Sequence, residues 1–243
     1  MTDRSILSRP GPEPDQMPRY GPHPDQVADR WLAPETGRPL VFLIHGGFWR
    51  PRYDRTHTRL MAAALRERGW PVVSAEYRRE PGNPDVSTSD IRQALDALRG
   101  EEPGIVLAGH SAGGHLALLA ASTCPPPDLL GTVALAPVAD LVAAAEANLG
   151  NGAVAEFLGG APRADLDPVR LPDPVGATIL VHGTEDTSVP PAQSRSYVDA
   201  HPAADLALLP DMAHFELIDP DSAAWPDVLA ALTRAGTPAP RPD

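Results

Sequence analysis

Short runs of consecutive apolar residues alternate with segments of helical periodicity along most of the chain. Each run is apolar on both faces, which is typical of strands buried in a parallel sheet rather than of strands exposed on one side. Six runs predict six such strands, at residues 41–44, 71–75, 105–108, 132–136, 178–181 and 205–209. Residues 26–32 predict an additional edge strand that precedes them.

Segments between these runs carry apolar residues three or four positions apart, as on one face of an α-helix. Helices are predicted at residues 58–68, 87–98, 114–122 and 223–234. At the start of the second helix, Ser87 and Asp90 have the spacing of a capping box. Alternating strands and helices indicate right-handed crossovers, so we predict an α/β fold with a mostly parallel twisted sheet and helices on both faces.

The two ends of the chain differ in composition from the part between them. Residues 1–19 contain four prolines and few large apolar groups, which predicts a flexible or extended lead-in. Residues 236–243 contain three prolines and predict a disordered tail. We therefore expect one domain at residues 20–235, a size that a single α/β domain can have. Within it, residues 141–176 have room for two short helices, which would form a small cap.

Composition excludes several functional classes. The formal net charge of −12 repels phosphate backbones and anionic membranes, so we expect neither nucleic acid nor a membrane as a partner. The chain has no lysine, which excludes Schiff-base chemistry, and its single cysteine, Cys124, cannot form an internal disulfide. The first residues lack a signal-like apolar stretch, and no run has membrane-helix length. We expect a cytoplasmic protein that uses no metal or other cofactor.

A G-x-S-x-G pattern follows the third apolar run, at residues 109–113. A strand must turn sharply into a helix around this serine, and only small neighbours fit beside such a turn, as Gly109, Ala112 and Gly113 do. This context predicts that Ser111 is a nucleophile and that the Ala112 amide faces a developing oxyanion. The alternative is a glycine-rich strand–helix turn that has no chemical role.

A candidate acid follows the fifth apolar run. The sequence HGTEDTSVP, at residues 182–190, begins at a strand end and continues into a loop. Asp186 lies just past the strand, where its carboxylate can reach a histidine on a neighbouring loop. Glu185 is an alternative for this role, and so is Asp140, because some enzymes of this type take the acid from the preceding strand.

A candidate general base follows the last apolar run. The sequence DMAHF, at residues 211–215, places His214 above the carboxyl end of the sheet. Serine, acid and histidine then occur in the order Ser111, Asp186, His214, which is the order of the α/β-hydrolase fold and differs from that of chymotrypsin and subtilisin. Other histidines compete for this role. His45 and His182 are expected to structure their loops, and His110 and His115 lie too close to the serine in sequence. His201 precedes Pro202 in a polar connector.

The first long strand ends in HGGFW, residues 45–49, whose glycines allow backbone amides to approach a ligand closely. With this loop and the GHSAGG, HGTEDTSVP and DMAHF motifs, residues 20–234 resemble the α/β-hydrolases, and more narrowly the arylformamidase and small-carboxylesterase branch. The resemblance implies that the amides of Gly47 and Phe48 join that of Ala112 in an oxyanion hole. It also implies hydrolysis of a small-molecule ester, or of an aryl formamide such as N-formylkynurenine.

The expected substrate pocket is lined by four rings: Trp49, His110, Phe157 and Phe215. Helix packing is the alternative for Phe157, and interior packing is the alternative for Phe48 and Trp49. Other functions also stay open. A prolyl-oligopeptidase-like peptidase or a transacylase would use the same three residues, and a non-catalytic ligand-binding homologue would keep the fold. A homodimer is also open as the assembly.

Overall fold

The apolar runs form a seven-stranded sheet in the computed structural model, which describes residues 4–33, 37–100 and 102–237. The strands are β1 (Ala28–Trp31), β2 (Leu40–Ile44), β3 (Val72–Ala75), β4 (Ile105–His110), β5 (Leu129–Leu135), β6 (Ala177–Gly183) and β7 (Asp205–Leu209). Their order across the sheet is β1-β3-β2-β4-β5-β6-β7. Strand β1 is antiparallel to β3, whereas the other neighbours are parallel. The predicted α/β sheet with its edge strand is confirmed.

Helices cover both faces of this sheet. Within the described part of the chain they are α1 (Arg59–Glu67), α2 (Pro84–Leu98), α3 (Ala112–Thr123), α4 (Leu141–Glu146), α5 (Ala153–Leu158), α6 (Ala192–Ala200) and α7 (Trp225–Ala235). Successive side chains of a strand point to opposite faces. In β2, Phe42 and Ile44 therefore pack with apolar residues of α2 and α3, while Val41 and Leu43 pack with those of α1 and α7.

The start of α2 differs from the predicted capping box. The helix begins at Pro84 after Asn83, so Ser87 lies one turn inside it. The Ser87 hydroxyl donates to the carbonyl of Arg78 at 2.7 Å, and the carboxylate of Asp90 accepts from the guanidinium of Arg78 at 2.7 and 2.8 Å. The two polar residues thus hold the preceding loop. Proline suits the first helical position because its missing N–H would have no partner there.

Helix α6 is not predicted by the hydrophobic pattern. Its buried face consists of Gln193, Ser194 and Tyr197, which are mostly polar. The Ser194 hydroxyl lies 2.7 Å from Nδ1 of His182, and the Gln193 side chain accepts from the backbone N–H of Asp140 at 2.9 Å. These hydrogen bonds replace the apolar contacts that a periodicity search detects.

The segment before β1 is packed against the rest of the chain. Residues Ser5–Leu7 form a 3₁₀ turn, and Ile6 is only 2% exposed. Gln16 pairs with Arg30 of β1 in an antiparallel bridge. Of the two predicted states, flexible or extended, the structure has an extended chain that is anchored at both ends. The predicted disordered tail lies outside the described residues from 238 onward.

The insertion after β5 contains the two short helices that its length predicts, α4 and α5, followed by 3₁₀ turns at Ala164–Leu166 and Pro168–Arg170. We refer to residues 141–176 as the cap. Cys124 directly follows α3 as its C-cap and is half-buried.

Candidate active site

The turn from β4 into α3 holds Ser111 in a backbone conformation that L-residues rarely adopt. Strand β4 ends at His110, α3 begins at Ala112, and Ser111 between them has φ 57° and ψ −119°. Strain of this kind persists only where the surroundings fix it. Here the Ser111 N–H donates to Leu135 O at 2.8 Å, and Ser111 O accepts from Val138 N at 3.3 Å. The structure has the strained strand–serine–helix turn that the motif predicts.

Glycines around this serine are required by close backbone contacts. A Cβ on Gly109 would lie 2.2 Å from Gly113 O, and one on Gly113 would lie 2.0 Å from Ile44 O. A Cβ on Gly46 would lie 2.8 Å from His110 O. Because these neighbours are backbone atoms, they cannot rotate away as a side chain can. The loop after β2 is therefore pressed directly against the serine turn.

The loop after β2 has an unusual backbone of its own. Gly47, Phe48 and Trp49 have φ values of 116°, 53° and 55° in succession. A side chain at position 47 would collide with Tyr53, whose Cβ lies 2.4 Å from the Cβ position. Two ring carbons of Phe48 lie 3.0 Å from the Cβ position of Gly150 in the cap. The Phe48 ring thus lies between the loop and the cap, where it lines the pocket described below.

Trp49 and Phe157 do not line this pocket, contrary to the prediction. Their rings stack with centroids 4.4 Å apart and planes inclined by 12°, and the edge of each meets His115. Both are 3% exposed and belong to the core, as does Leu158 beside Phe157. The side chains of Phe48 and Trp49 thus point in different directions, since Phe48 lines the pocket and Trp49 lies in the core. Interior packing, the alternative considered for Trp49 and Phe157, is what the structure has.

Asp186 and His214 are joined by a buried hydrogen bond. Nδ1 of His214 lies 2.6 Å from Oδ2 of Asp186, while Oδ1 accepts from the backbone N–H groups of Ser188 and Val189 at 2.8 and 2.9 Å. Burial opposes ionisation of Asp186, but hydrogen bonds from His182 and His214 outweigh it and lower the pKa of this carboxyl. The carboxylate therefore stays charged at neutral pH and favours the tautomer of His214 that carries its proton on Nδ1.

The two alternative acids face elsewhere. Glu185 is exposed to solvent. Asp140 caps α4, where its Oδ1 accepts from the backbone N–H of Ala143 at 2.9 Å. Of the three candidates, Asp186 is the one that the structure brings into contact with His214.

His110 and Phe215 lie in the pocket, where the sequence predicts them. Nε2 of His110 is 3.0 Å from the backbone carbonyl of His214, and the two imidazole rings are 4.4 Å apart. Burial lowers the pKa of His110 well below its ordinary value, so its ring is neutral at neutral pH. A neutral His110 donates one hydrogen bond that fixes the loop bearing His214.

His45 and His182 each bond a backbone carbonyl of their own loop, as expected for loop-structuring residues. Nδ1 of His45 donates to the carbonyl of Gly46 at 2.8 Å, and its Nε2 lies 2.9 Å from the carboxylate of Glu76. Nε2 of His182 donates to the carbonyl of Val189 at 2.8 Å. Both rings are fully buried.

The pocket has about 380 Å³ of empty space, part of it open to solvent. Six of its lining residues are predicted by the sequence: Gly47, Phe48, His110, Ser111, His214 and Phe215. Five others are not: Arg4, Leu7, Tyr53, His57 and Ser188. Ser188 lies within the HGTEDTSVP motif, and Tyr53 and His57 follow the HGGFW motif within eight residues, which is the signal that sequence reasoning overlooked. The two N-terminal residues have no such signal.

Within residues 4–33, 37–100 and 102–237, no three side chains of His, Cys, Asp or Glu are grouped so that they could hold a metal ion. In the same ranges, no helix combines the length and apolar character needed to span a membrane.

The strand order, the helices on both faces and the strained serine turn define an α/β-hydrolase fold. Over residues 32–200, more than two thirds of its length, the sequence matches the family described as BD-FAE. The chain belongs to that family.

Curated relatives share part of the sequence. Kynurenine formamidase of Salmo salar is 34% identical over 110 residues, which cover 43% of this chain and 37% of the formamidase. Esterase LipC of Mycobacterium tuberculosis is 30% identical over 119 residues, which cover 44% of this chain and 30% of LipC. The matched stretches thus span about a third of these relatives.

Among solved structures, Esterase B from Lactobacillus rhamnosis has the same fold. It superposes with a TM-score of 0.75 over 95% of this chain and 88% of the esterase, at 21% sequence identity. At this identity the likeness is one of fold.

Proposed function

We propose that the chain is a serine hydrolase that cleaves small-acyl carboxylic esters or aryl formamides, with Ser111 as the nucleophile. The observation that carries this proposal is the 2.6 Å hydrogen bond between Asp186 and His214 at a pocket that His214 shares with Ser111. A buried carboxylate that orients a histidine beside a serine on a strained turn is what nucleophilic serine catalysis needs. The names of the matched relatives, a formamidase and an esterase, support the two substrate classes.

In the proposed reaction, the hydroxyl oxygen of Ser111 attacks the carbonyl carbon while Nε2 of His214 takes the hydroxyl proton. Asp186 holds the ring in the required tautomer and stabilises the imidazolium. The tetrahedral intermediate collapses to an acyl-enzyme when His214 returns the proton to the leaving alcohol or amine. Water then attacks the acyl-enzyme with His214 again as the base, which releases the carboxylic acid and restores the serine.

Backbone amides of Gly47, Phe48 and Ala112 are proposed to bind the developing oxyanion. In the described part of the chain, none of these three N–H groups donates to an acceptor within the protein. Ala112 is also the first residue of α3, and a helix N-terminus favours negative charge. Loss of one such donor typically raises the barrier by about 2.7–4 kcal/mol.

The walls of the pocket favour a small acyl group. Two phenylalanine rings, Phe48 and Phe215, form part of the lining, and the helices of the cap have only six residues each. A short cap offers no long apolar tunnel for a fatty acyl chain. We therefore propose formyl, acetyl or butyryl groups on an aromatic or otherwise planar leaving group.

Covalent labelling tests the nucleophile. A fluorophosphonate is expected to add one label to the purified protein, detected by intact mass, and Ser111→Ala is expected to abolish it. Ser188→Ala is the matched control, because Ser188 lines the same pocket and should leave labelling intact. Labelling that persists in Ser111→Ala, or that disappears in the control alone, would refute the assignment.

Activity profiling tests the substrate class. The protein would be assayed against short acyl esters, formanilides and aminoacyl anilides, and we expect turnover of the first two classes. Faster turnover of aminoacyl anilides would favour a peptidase. A labelled protein that turns over none of the three would favour a transacylase or a ligand-binding homologue.

A further inference from the structure

The N-terminal segment forms part of the pocket wall. Its 3₁₀ turn, Ser5–Leu7, is anchored by Ile6, which is buried in the apolar cluster that also contains residues of α1 and α7. Arg9 adds an ion pair with Asp219, whose carboxylate lies 2.5 Å from the guanidinium. With the turn held in this way, Leu7 and the preceding residue Arg4 both line the pocket.

The Arg4 guanidinium has aromatic neighbours but no acidic partner among the described residues. Its Nη2 donates a long hydrogen bond to the Tyr53 hydroxyl at 3.4 Å. Its central carbon lies 5.6 Å from the centre of the Phe215 ring, within cation–π distance. The Tyr53 hydroxyl accepts from Arg4, so its own hydrogen can be donated to a bound group. Arg4 and Tyr53 together present several donors toward the same space.

The described residues that line the pocket carry positive charge only, although the chain carries a formal net charge of −12. None of the eleven described residues that line the pocket is an aspartate or glutamate. Of these eleven, Arg4 alone carries a permanent charge. Two lining histidines are neutral at neutral pH, because burial lowers the pKa of His57 to about 4 and that of His110 well below its ordinary value. An anionic ligand would therefore meet one cation and no buried carboxylate on the pocket wall.

We propose that Arg4, Tyr53 and Phe215 select substrates that bear a carboxylate on a planar group. A guanidinium presents paired N–H donors that match the two oxygens of a carboxylate, and the phenol adds a further donor. The Phe215 face provides a surface on which a flat ring can stack. This inference rests on the proposed hydrolase function and narrows it to anionic aryl esters or amides. Arg4 would bind the substrate and take no part in bond breaking.

Matched pairs of esters test the proposal. In one pair the charge is on the leaving group: 4-acetoxybenzoate and its neutral methyl ester. In the other pair the charge is on the acyl group: 4-nitrophenyl hydrogen succinate and its neutral methyl ester. For each pair the readout is the ratio of kcat/KM for the charged ester to that for the neutral ester.

Arg4→Gln is expected to lower this ratio about tenfold in at least one pair, as loss of a charge-assisted hydrogen bond would. The matched control is Arg52→Gln, which removes the same charge from an exposed side chain 4.9 Å over the Tyr53 ring and outside the pocket lining. The control should change the ratio less than twofold. Raising the salt concentration should weaken the wild-type preference. Equal ratios in wild type and Arg4→Gln for both pairs would overturn the proposal.

A binding measurement separates this proposal from the hydrolase assignment. Calorimetry would compare the affinity for benzoate with that for neutral benzamide. Binding of either ligand requires no hydrolysis. We expect wild type to prefer benzoate and Arg4→Gln to lose about tenfold in benzoate affinity. Hydrolysis of neutral esters without Arg4-dependent benzoate binding would refute the carboxylate preference alone. Absence of all hydrolysis with Arg4-dependent benzoate binding would support the anion site and refute the hydrolase assignment.

Discussion

Two buried carboxylate–histidine pairs lie at the carboxyl end of the sheet, and they differ in what surrounds the histidine. In one pair Nδ1 of His214 is 2.6 Å from Asp186, and in the other Nε2 of His45 is 2.9 Å from Glu76. His45 has both ring nitrogens engaged, because its Nδ1 donates to Gly46 O. His214 lines the pocket, and its Nε2 has no hydrogen bond to a described residue.

The comparison shows that a buried carboxylate–histidine pair is not by itself a catalytic arrangement. Around His45, the guanidinium of Arg79 bonds the carboxylate of Glu76 and approaches Nε2 of the histidine to 3.0 Å, and the Tyr77 ring stacks at 4.5 Å. These contacts neutralise and enclose the pair, so it stabilises the loop after β2. A pair becomes a candidate for general-base catalysis when one nitrogen remains open beside a nucleophile.

The largest effect on activity should come from removing the carboxylate of Asp186. Asp186→Asn is expected to lower kcat on the order of 10⁴-fold, as for triad aspartates in other serine hydrolases. The asparagine amide presents N–H toward Nδ1 of His214, which shifts the proton to Nε2 and leaves no acceptor for the Ser111 hydroxyl. Steady-state kinetics with a short acyl ester would measure the loss, with circular dichroism to verify folding.

Glu76→Gln is the matched control at the other pair. It leaves the buried guanidinium of Arg79 without its anion, and breaking a buried pair in this way typically costs about 3–5 kcal/mol of stability. We expect a large drop in the free energy of unfolding by denaturant, with kcat of the folded protein changed less than tenfold. A nearly silent Asp186→Asn beside a crippling Asp140→Asn would mean that the acid is Asp140.

Buried histidines without a carboxylate partner should make the stability of the fold depend on pH. Burial lowers the pKa of His57 and His115 to about 4, compared with about 6.5 in an unfolded chain. Between these values the unfolded chain binds a proton that the native protein does not, so stability falls as the pH drops from 6.5 toward 4. Each histidine should contribute up to about 1.4 kcal/mol per pH unit in that window. Denaturant unfolding at a series of pH values measures the slope.

His115→Gln should flatten this slope, since it removes a fully buried imidazole. His23→Gln, which removes an exposed imidazole, should leave the slope unchanged. The pKa values of Glu76 and Asp186 are lowered, so their contribution is lost progressively below about pH 5, and measurements between about pH 5 and 6.5 keep it small. An equal slope in His115→Gln and wild type would contradict the prediction.

The Asp186–His214 pair could be predicted from the sequence, whereas the Glu76–His45 pair could not. Buried strands, the glycine-flanked serine and a histidine after the last strand are local patterns, so their order along the chain locates Ser111, Asp186 and His214. Glu76 follows β3 with no motif around it. Its role depends on the contacts with His45 and Arg79 that only the packed sheet creates.

Features that depend on long-range packing were missed or misjudged. Helix α6 buries polar side chains that bond to other loops, so it has no apolar stripe to detect. Arg4 reaches the pocket because it directly precedes the turn Ser5–Leu7, whose central residue, Ile6, is buried in the core. Phe48 and Trp49 are adjacent in sequence, and Trp49 is predicted to line the pocket, but the packed structure has Phe48 there and Trp49 in the core.

The smallest expected effect concerns Phe48 and Trp49, the two adjacent aromatic residues in the loop after β2. With 4-nitrophenyl esters from acetate to laurate, kcat/KM of the wild type should rise as far as butyrate and then fall when the acyl chain meets the Phe48 ring. Each methylene that fits an apolar pocket contributes up to ~0.8 kcal/mol, so Phe48→Ala should move the maximum to a longer chain by creating space. An aryl formamide assayed in parallel should also be hydrolysed by the wild type.

Trp49→Phe is the control, because it alters the ring that packs in the core on Phe157. It should lower the stability while leaving the chain-length maximum in place, since a smaller ring loses interior contacts without changing the pocket wall. If Trp49→Phe moves the maximum and Phe48→Ala does not, then the two rings have been assigned to the wrong sides of the loop. If the wild type still gains rate at decanoate and leaves the formamide intact, the acyl site is open and long, and the small-acyl proposal is wrong.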